Sequence, residues 1–297
     1  MIYLNNKLVP KSKAMISVFD HGFLYGDGVY ETLRSYNGVV FMIDEHIERL
    51  FRSAEMIGLK LPKTHENIRK AIYRTLTANR QKNAYTRISV SRGPGPIGLD
   101  PALCPKPTFV IISNPLKGYP AKYYQKGVKI AVVSTRRNFK NSLNPKIKSL
   151  NFLNNILAKI ESINRGAYEA IMLNYQGYLA EGTITNIFFV KNNILHTPSL
   201  DLGILDGITR RIILDCAKEL KIKTKEGRFK REDLYRAREV FISNTTMEVM
   251  PVTTVDNKKT GKESGRITRM LHSAYKKYIK TYIREPADRT QKVESRK

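Results

Sequence analysis

The sequence predicts a mixed α+β or α/β fold that is divided into two domains. Short apolar runs typical of strands alternate with longer runs whose apolar residues recur every three or four positions, as in helices. The chain has 297 residues, of which 41% are hydrophobic, enough for one large core or two modest cores. A segment with two prolines and a glycine, 114–125, separates two sets of elements. We therefore predict a first domain at 1–113, a linker at 114–125 and a second domain at 126–285.

The first domain is predicted to open with a hairpin and to contain two helices. Residues 1–9 have the pattern of a short hairpin, and 18–43 that of two strands about the turn 36–38. Asp44 is predicted to cap the first helix. A second helix and two further strands are expected at 66–79, 84–93 and 107–113.

The second domain is predicted to hold several short strands and three main helices. The first helix is expected to start at Lys148 and to end at Gly166. Its apolar residues at the spacing of a core-facing stripe are Leu150, Leu153, Leu157 and Ile160. Four short strands follow, and further helices are expected from Thr209 and near 266–282. The basic residues 286–297 are predicted to form a flexible tail.

The net charge is the most unusual bulk property, at +26 from 52 Lys and Arg against 26 Asp and Glu. Clustered basic residues are typical of nucleic-acid binding. Here they are spread along the whole chain and form no block with interleaved aromatic residues. We interpret them as a solvated surface that attracts anionic substrates and cofactors. A basic nucleic-acid-binding protein without catalysis remains the alternative from another class.

Other classes lack their characteristic motifs. No apolar run approaches the roughly 18 residues that a membrane span needs, and the first residues do not have the layout of a signal peptide. Cys104 and Cys216 are far apart, so we expect reduced thiols in a cytoplasmic protein. The five histidines form no metal-binding motif, and we expect no metal.

A lysine and a glutamate, Lys148 and Glu181, form the most informative pair in the chain. An amine can form a Schiff base with pyridoxal phosphate, and a carboxylate can keep the pyridine nitrogen protonated. Lys148 is predicted at a helix N-terminus, where the helix dipole and nearby Lys146 favour the free amine over the ammonium. Taken singly, each residue is equally typical of a solvated surface.

Two turns are candidates for binding a phosphate group. In 205–210 a glycine precedes a helix whose first amides, those of Ile208 and Thr209, are free to bind an anion. The turn 243–246 is rich in hydroxyl and amide groups and follows a strand. An ordinary helix start and an ordinary strand-ending turn are the alternatives.

Taken together, the motifs resemble the fold-type IV family of pyridoxal-phosphate enzymes, which includes branched-chain aminotransferases, D-amino-acid aminotransferases and aminodeoxychorismate lyases. The motifs, in order, are YGDGVYETLR, DEHIERL, AYTRISVSRG, KSLNFLNN, EAIMLNYQGYLAEGTITNIFF, LDGITR and VFISNTTMEVMPV. They span about 25–252, and their order makes the set far more specific than any one member. The resemblance implies a small α+β N-terminal domain, a larger C-terminal domain with a barrel-like β core, and a homodimer or higher oligomer.

The resemblance also implies roles for individual residues. Lys148 corresponds to the Schiff-base lysine that later carries the proton, and Glu181 to the carboxylate on the pyridine nitrogen. The implied ligands of the cofactor phosphate are Arg49, Ile208, Thr209 and Thr245. The implied substrate-binding residues are Tyr25, Tyr30, Tyr85, Arg87, Arg92 and Thr246. From local pattern alone, Arg49 would be a solvated helix residue and the tyrosines would border the core.

The choice within the family depends on a few positions. The Tyr85-x-Arg87 motif is similar to that of the branched-chain enzymes. Thr32 replaces a usual glycine, and Asn244-Thr245-Thr246 looks closer to the D-amino-acid enzymes. Phe152 stands where a branched-chain tyrosine is expected to bind the cofactor phenolate.

We therefore expect an aminotransferase that uses pyridoxal 5'-phosphate. Its substrates are expected to be an L-branched-chain amino acid and 2-oxoglutarate. The alternatives are a D-amino-acid aminotransferase and then an aminodeoxychorismate lyase.

Overall fold

The computed structural model describes residues 1–284, so the predicted tail, 286–297, lies outside the described residues. The chain groups into two compact units. Within the described residues, the first contains Met1–Lys117, Ile147–Phe152 and 280–284; the second contains Gly118–Lys146 and Leu153–Ile279. The predicted domains, 1–113 and 126–285, stay a prediction. The units differ from them mainly because the short segment around Lys148 groups with the first unit.

The first unit is built on a six-stranded antiparallel sheet. Its strands are β1 (Ile2–Leu4), β2 (Lys7–Val9), β3 (Gly28–Tyr36), β4 (Val39–Val40), β5 (Ala84–Ser91) and β6 (Thr108–Pro115), and its helices are α1 (His21–Tyr25), α2 (Ile43–Glu55) and α3 (His65–Ala78). The strand order is β2-β1-β6-β5-β3-β4. The predicted hairpin at the start of the chain is confirmed by the pairing of β1 with β2.

Alternation along β3 and β5 sets the inner face of this sheet. Val29 and Leu33 of β3 and Ile88 of β5 are fully buried in one cluster with the apolar stripes of α2 and α3. The helix cap was predicted wrongly. Helix α2 is capped by Met42, in the left-handed conformation, and Asp44 lies within its first turn.

The second unit is built on a nine-stranded mixed sheet. Its elements are α4 (Ala121–Lys126), β7 (Val128–Val132), α5 (Leu153–Asn164), β8 (Glu169–Leu173), β9 (Leu179–Gly182), β10 (Asn186–Lys191), β11 (Ile194–Pro198), α6 (Ile208–Glu219), β12 (Thr224–Gly227), α7 (Arg231–Tyr235), β13 (Glu239–Asn244), β14 (Glu248–Val255), β15 (Lys258–Lys259) and α8 (Arg266–Arg284). The main path is β12-β11-β10-β13-β14-β7-β8-β9, with β15 on β14. Helix α4 occupies part of the predicted linker.

This sheet curls so that its last strand, β9, returns towards β10. The Gly182 amide donates to the Thr185 carbonyl at 2.7 Å, and the Leu179 amide donates to the Phe229 carbonyl at 2.7 Å. A buried cluster of side chains from β7–β10, β13 and β14 fills the concave side. The curl brings strand ends that are distant in sequence to the same rim.

The predicted helix start at Lys148 and the predicted core stripe are both wrong. Helix α5 begins at Leu153, so the helix-dipole argument does not apply to Lys148. Its apolar residues, Leu153, Ile156, Leu157, Ile160 and Ile163, are about half exposed or more. Ala158 and Ser162 are the buried residues of this helix. A search of 1–284 for helices both long and apolar enough to cross a bilayer finds none.

Candidate active site

Lys148 lies in a short segment that pairs with the beginning of β3. The Tyr30 amide donates to the Lys148 carbonyl at 2.9 Å, and the Leu150 amide donates to the Gly28 carbonyl at 2.9 Å. The Lys148 amide donates to the Ser53 hydroxyl of α2 at 3.2 Å. Backbone bonds on both sides therefore fix the position from which the lysine side chain extends.

The Lys148 amine is held by Tyr30. Its Nζ atom donates to the Tyr30 hydroxyl at 3.1 Å and lies 4.4 Å from the centre of the ring. The guanidinium carbon of Arg87 lies 4.0 Å from the same ring centre, and the Phe152 ring packs at 5.0 Å. One buried aromatic ring thus fixes both an amine and a guanidinium in place.

Arg87 keeps the outer part of its guanidinium available. Its Nε atom donates to the Ser89 hydroxyl at 3.1 Å, and within 1–284 its two terminal nitrogens have no protein acceptor. A guanidinium edge with two donors is suited to a carboxylate. Tyr85 precedes Arg87 by two residues in β5. It lies on the same sheet face, because side chains of one face recur every second residue.

A buried ion cluster lies on the core-facing side of β3. Glu31 of β3 is fully buried and accepts from Arg49 Nε at 2.6 Å, Arg49 Nη2 at 3.0 Å and His46 Nδ1 at 2.8 Å. Burial alone would raise the pKa of the Glu31 carboxyl, but the Arg49 guanidinium and His46 outweigh it and hold this pKa well below its ordinary value. Burial lowers the pKa of His46. Arg49 is therefore a buried residue and not the solvated one that local pattern suggests.

Sequence reasoning missed Glu31 and His46 as partners of Arg49. A signal was present, since Glu31 occupies an inward position of β3 between Val29 and Leu33. A carboxylate at such a position needs a buried cation.

Two further predicted substrate residues have other partners. Arg92 is buried and bonds to both carboxylate oxygens of Asp27, at 2.5 and 3.1 Å, and to two backbone carbonyls. These contacts use its guanidinium within the first unit. The Tyr25 hydroxyl accepts from the Gly98 amide at 3.2 Å.

In the second unit, Glu181 is fixed by two donors. Arg137 Nε donates to Glu181 Oε1 at 2.7 Å, and the Leu205 amide donates to Oε2 at 3.0 Å. Both side chains of the ion pair are nearly buried, with 10% and 7% exposed. Arg137 is itself positioned by Asn154 Oδ1 at 3.2 Å. Arg137 was not predicted as a site residue, because it reaches Glu181 through strand pairing: its amide donates to the Leu173 carbonyl of β8, the strand beside β9.

The N-terminus of α6 lies beside the first residue of β10. Asn186 Nδ2 donates to the Leu205 carbonyl at 3.1 Å. A β-carbon on Gly207 would come within 2.1 Å of Asn186 Oδ1, so a larger residue there would displace the Asn186 carboxamide. Across the described part of the chain, no acceptor is found for the amides of Ile208 and Thr209, which open the helix.

The second predicted phosphate turn meets the same strand end. Ser243 pairs with Asn186 in the sheet, so the turn after β13 lies beside the start of α6. The Ser243 hydroxyl is buried without a hydrogen-bond partner in the described structure. The Asn244 carboxamide accepts from the amides of Thr246 and Met247 and fixes the turn at Thr245.

These groups fit a phosphate ester. Two helix-opening amides, a buried hydroxyl without a partner and the Thr245 turn converge on Asn186, and amides at a helix N-terminus bind anions. Glu181 supplies a buried, ion-paired carboxylate in the same unit. The first unit supplies an amine and a guanidinium. Taken unit by unit, the second unit holds groups suited to the phosphate and the pyridine nitrogen of pyridoxal phosphate, and the first unit holds an amine suited to its aldehyde.

The loop that leads to Arg137 is clamped by Glu161 of α5. Its carboxylate accepts from the amides of Ser134 and Thr135, both at 2.8 Å, and from both hydroxyls. Burial alone would raise the pKa of Glu161, but these donors outweigh it and lower the pKa from 4.5 to about 2. The ionised carboxylate therefore stabilises the fold above pH 4.5, and this contribution is lost as the pH falls towards 2.

We expect Glu161→Gln to lower the free energy of unfolding at pH 7 by about 1 kcal/mol, because charge-assisted hydrogen bonds are lost. The difference from wild type should shrink between pH 4.5 and pH 2. Urea unfolding at several pH values measures it, with the exposed Glu219→Gln as the control. An undiminished difference at pH 2 would contradict the assignment.

Comparison with known families follows this geometry. Residues 28–255 match the family model described as amino-transferase class IV. The putative branched-chain-amino-acid aminotransferase of Methanocaldococcus jannaschii is 44% identical over 93% of this chain and 95% of its own length. The aminodeoxychorismate lyase of Bacillus subtilis is 38% identical, covering 97% and 98%. A D-alanine aminotransferase of Staphylococcus epidermidis is 36% identical, covering 95% and 98%.

Solved structures agree with the fold. The Escherichia coli branched-chain amino acid aminotransferase superposes with a TM-score of 0.90 at 31% identity, covering 93% of each chain. A second branched-chain amino acid aminotransferase, solved with pyridoxamine 5'-phosphate, gives 0.91 at 30% identity, covering 96% and 95%. The predicted fold-type IV class, with its two-domain α+β architecture, is confirmed.

The chain belongs to the class IV aminotransferases. It is an enzyme of the aminotransferase type, and its cofactor is pyridoxal phosphate.

Proposed function

We propose that the enzyme transfers the amino group of an L-branched-chain amino acid to 2-oxoglutarate, with Lys148 as the residue that binds the cofactor as a Schiff base. One observation carries the proposal. The Lys148 amine and the Arg87 guanidinium are both fixed on the ring of Tyr30, at 4.4 and 4.0 Å. A nucleophilic amine and a donor for a carboxylate are thereby set at a constant separation, as a reaction at the α-carbon of an amino acid requires.

Lys148 is assigned two tasks. When bound, pyridoxal phosphate withdraws electrons from the α-carbon of the substrate, so that its proton becomes acidic. The Lys148 amine would take up this proton as a general base and give it back as a general acid. The Tyr30 hydroxyl accepts from its Nζ atom and orients the amine for both transfers.

Glu181 and Arg137 act as a pair. We assign Glu181 to the pyridine nitrogen, where a carboxylate keeps the ring protonated and electron-withdrawing. Arg137 and the Leu205 amide each hold one carboxylate oxygen. The ion pair is nearly buried, so Arg137 holds the Glu181 carboxylate in one orientation. Arg137 is thus a positioning residue for this carboxylate.

The phosphate is assigned to Ile208, Thr209 and Thr245, with the buried Ser243 hydroxyl as an additional donor. Arg49 remains a proposed phosphate ligand. Its contacts with Glu31 hold the guanidinium in one orientation.

The substrate carboxylate is assigned to Arg87, with Tyr25, Tyr85 and Thr246 as further candidates. The packing of Phe152 against Tyr30 adds apolar surface beside the amine, which favours an aliphatic side chain in the substrate. We leave Arg92 out of the proposal because Asp27 and two carbonyls occupy its donors.

Two other reactions compete with this proposal. The Asn244–Thr246 turn resembles that of D-amino-acid aminotransferases, and a D-alanine aminotransferase is among the relatives. An aminodeoxychorismate lyase is equally among them, and that reaction releases pyruvate.

A donor panel separates the three reactions. L-leucine, D-alanine and aminodeoxychorismate are supplied in turn, and consumption of 2-oxoglutarate and release of pyruvate are followed. We expect kcat/KM for L-leucine to exceed that for D-alanine by at least about tenfold, without pyruvate release from aminodeoxychorismate. A preference for D-alanine over L-leucine would indicate a D-amino-acid aminotransferase instead. Rapid release of pyruvate from aminodeoxychorismate would indicate an aminodeoxychorismate lyase.

We propose further that the enzyme is a homodimer, with the apolar face of α5 covered by a second copy. The exposed residues Leu153, Ile156, Leu157, Ile160 and Ile163 form a continuous apolar stripe, too large for an ordinary solvated helix face. The first unit has its own exposed apolar segment, which includes Met15, Val18 and Phe23.

Ile156→Arg is expected to convert the dimer to a monomer in analytical ultracentrifugation, because a charge buried at an apolar interface is not compensated. Leu220→Arg, at an exposed apolar position of the loop after α6, is the control. A wild-type monomer at high concentration would contradict the dimer.

We also propose a cytoplasmic location, supported by the two free cysteines. Oxidation of both thiols in freshly isolated protein would count against it.

A further inference from the structure

A groove of about 310 Å³ opens at the edge of the second unit's sheet, where β10, β11 and β12 meet α7. The basic residues Lys191, Lys225 and Arg228 line it together with His196 and Phe229, and the Asp233 carboxylate is also part of the lining. The volume is at the lower end of the range of small-molecule sites, roughly 300–1,000 Å³. None of these residues has a role in the proposed reaction.

Sheet register explains why these side chains converge. Phe189 of β10 pairs with His196 of β11, and His196 pairs with Lys225 of β12. Paired residues extend to the same face of a sheet, as does Lys191, two residues beyond Phe189. The His196 ring stacks on Phe189 at 4.9 Å and meets the edge of Phe229 at 5.3 Å. The histidine is therefore held rigidly at the floor of the groove.

His196 presents a hydrogen-bond acceptor to this groove. The side chain is about nine-tenths buried, and its Nδ1 atom donates to the Ile194 carbonyl at 2.9 Å. No partner for Nε2 is found in the part of the chain that the structure describes. Burial lowers the pKa of His196, and the charges of Lys225 and Lys191 lower it further. The Ile194 carbonyl and Asp233 raise this pKa, but their effect is smaller. The ring is thus neutral at pH 7, with Nε2 as an acceptor.

The charge of the groove is positive and only partly compensated. Lys191 pairs with Asp233 at 3.3 Å, and Arg228 pairs with Asp201 at 3.1 Å. Lys225, directly beside His196 in the sheet, has no carboxylate partner within 1–284. A ligand that satisfies this site must be an anion and must also carry a proton that His196 can accept as a hydrogen bond.

We propose that this groove binds a protonated phosphate group, either inorganic hydrogen phosphate or a small phosphate monoester. Its negative oxygens are bound by Lys225, Lys191 and Arg228, and its P–OH group donates to His196 Nε2. The pairing of an acceptor with three cations distinguishes this anion from one without a proton, such as sulfate.

The groove is separate from the residues assigned to the cofactor phosphate. Within the second unit, the residues assigned to that phosphate lie near Asn186, the first residue of β10, whereas Lys191 is the last residue of that strand. Five residue steps of about 3.3 Å separate the two ends, about 17 Å in all. Holoenzyme with its cofactor in place therefore leaves the groove as the site under test.

The test is calorimetric titration of holoenzyme at pH 7 with inorganic phosphate, sodium sulfate and glycerol 3-phosphate. We expect phosphate to bind at least about threefold more tightly than sulfate, because only phosphate donates to His196. Lys225→Gln should weaken phosphate binding by about three- to tenfold. His196→Phe should remove the preference for phosphate over sulfate. A phosphate monoester has a second pKa of about 6 and is mostly without a P–OH group at pH 7, so affinities are compared for the P–OH form of each ligand. An affinity of the glycerol 3-phosphate monoanion as high as that of hydrogen phosphate would identify a monoester as the ligand, and a lower affinity would identify free phosphate.

Lys218→Gln, which removes an exposed charge from α6, is the matched control and should change none of these values. Equal affinities for phosphate and sulfate in the wild type would overturn the proposal. So would equal effects of Lys225→Gln and Lys218→Gln, since the binding would then reflect only the general positive charge. The lysine variants keep the test valid if His196→Phe does not fold.

Discussion

Replacement of Lys148 with alanine is expected to abolish the visible absorbance of bound cofactor and to reduce transamination by about 10⁴-fold or more, because one residue supplies both the covalent attachment and the proton transfer. The fold should be retained. The three backbone hydrogen bonds that fix the segment around Lys148 do not involve its side chain. The side chain itself bonds only to Tyr30 in the described structure. Absorbance spectra and steady-state rates measure the two effects.

Lys146→Ala is the matched control, since Lys146 is an exposed lysine two residues away. It should retain both colour and activity. Borohydride reduction of wild-type holoenzyme, followed by peptide mass spectrometry, should place the cofactor on Lys148. Cofactor on Lys146, or a coloured and active Lys148→Ala variant, would refute the assignment.

Replacement of Glu31 with glutamine is expected to lower the free energy of unfolding by about 3–5 kcal/mol, because Arg49 would be left buried without its counter-charge. Wild-type Glu31 has a pKa well below its ordinary 4.5. Its contribution to stability is therefore complete above about pH 4.5 and is lost as the pH falls below that value. The free energy of unfolding of the variant should therefore depend less on pH below about pH 4.5 than that of the wild type. Urea unfolding across this pH range measures both effects.

Glu48→Gln provides a control on the same helix as Arg49. Glu48 forms an exposed pair with Arg52 at 3.7 Å, and such pairs contribute less than about 1 kcal/mol. Equal, small effects of Glu31→Gln and Glu48→Gln would mean that the buried cluster does not hold Arg49. A catalytic defect in Glu31→Gln under conditions where it stays folded would support the proposed role of Arg49 at the phosphate.

Elements with strong local signals were predictable. The Asn-Gly turn at 37–38 predicted the pairing of β3 with β4, and the glycine before Ile208 predicted the start of α6. These features depend on residues adjacent in sequence. A larger residue at 207 would displace the Asn186 carboxamide, but the turn itself was visible without knowledge of that contact. The first of the two strands predicted over 18–43 was placed too early, because His21–Tyr25 form helix α1, capped by the Asp20 side chain, and β3 begins at Gly28.

Features set by tertiary structure were not predictable. The apolar stripe on α5 has the spacing of a core-facing stripe, yet it is exposed. Its exposure could not be predicted, because the sequence does not tell which surface of a helix is covered by the rest of its own chain. The bonds from β3 to the segment around Lys148 delay the helix to Leu153. Arg137 and Glu181 are 44 residues apart in sequence and meet because β8, to which the Arg137 backbone is bonded, pairs with β9. The chemistry of the site was therefore predictable from motif order, and its supporting contacts were not.

The central claim is transamination of an L-branched-chain amino acid, and the half-reaction tests it most directly. Holoenzyme is mixed with L-leucine or D-leucine without any oxo-acid acceptor, and the visible absorbance of the bound cofactor is followed during this single half-reaction. The account predicts that L-leucine removes this absorbance rapidly and that subsequent 2-oxoglutarate restores it, whereas D-leucine leaves it unchanged. Faster loss with the D-enantiomer, or no loss with L-leucine, would contradict the account.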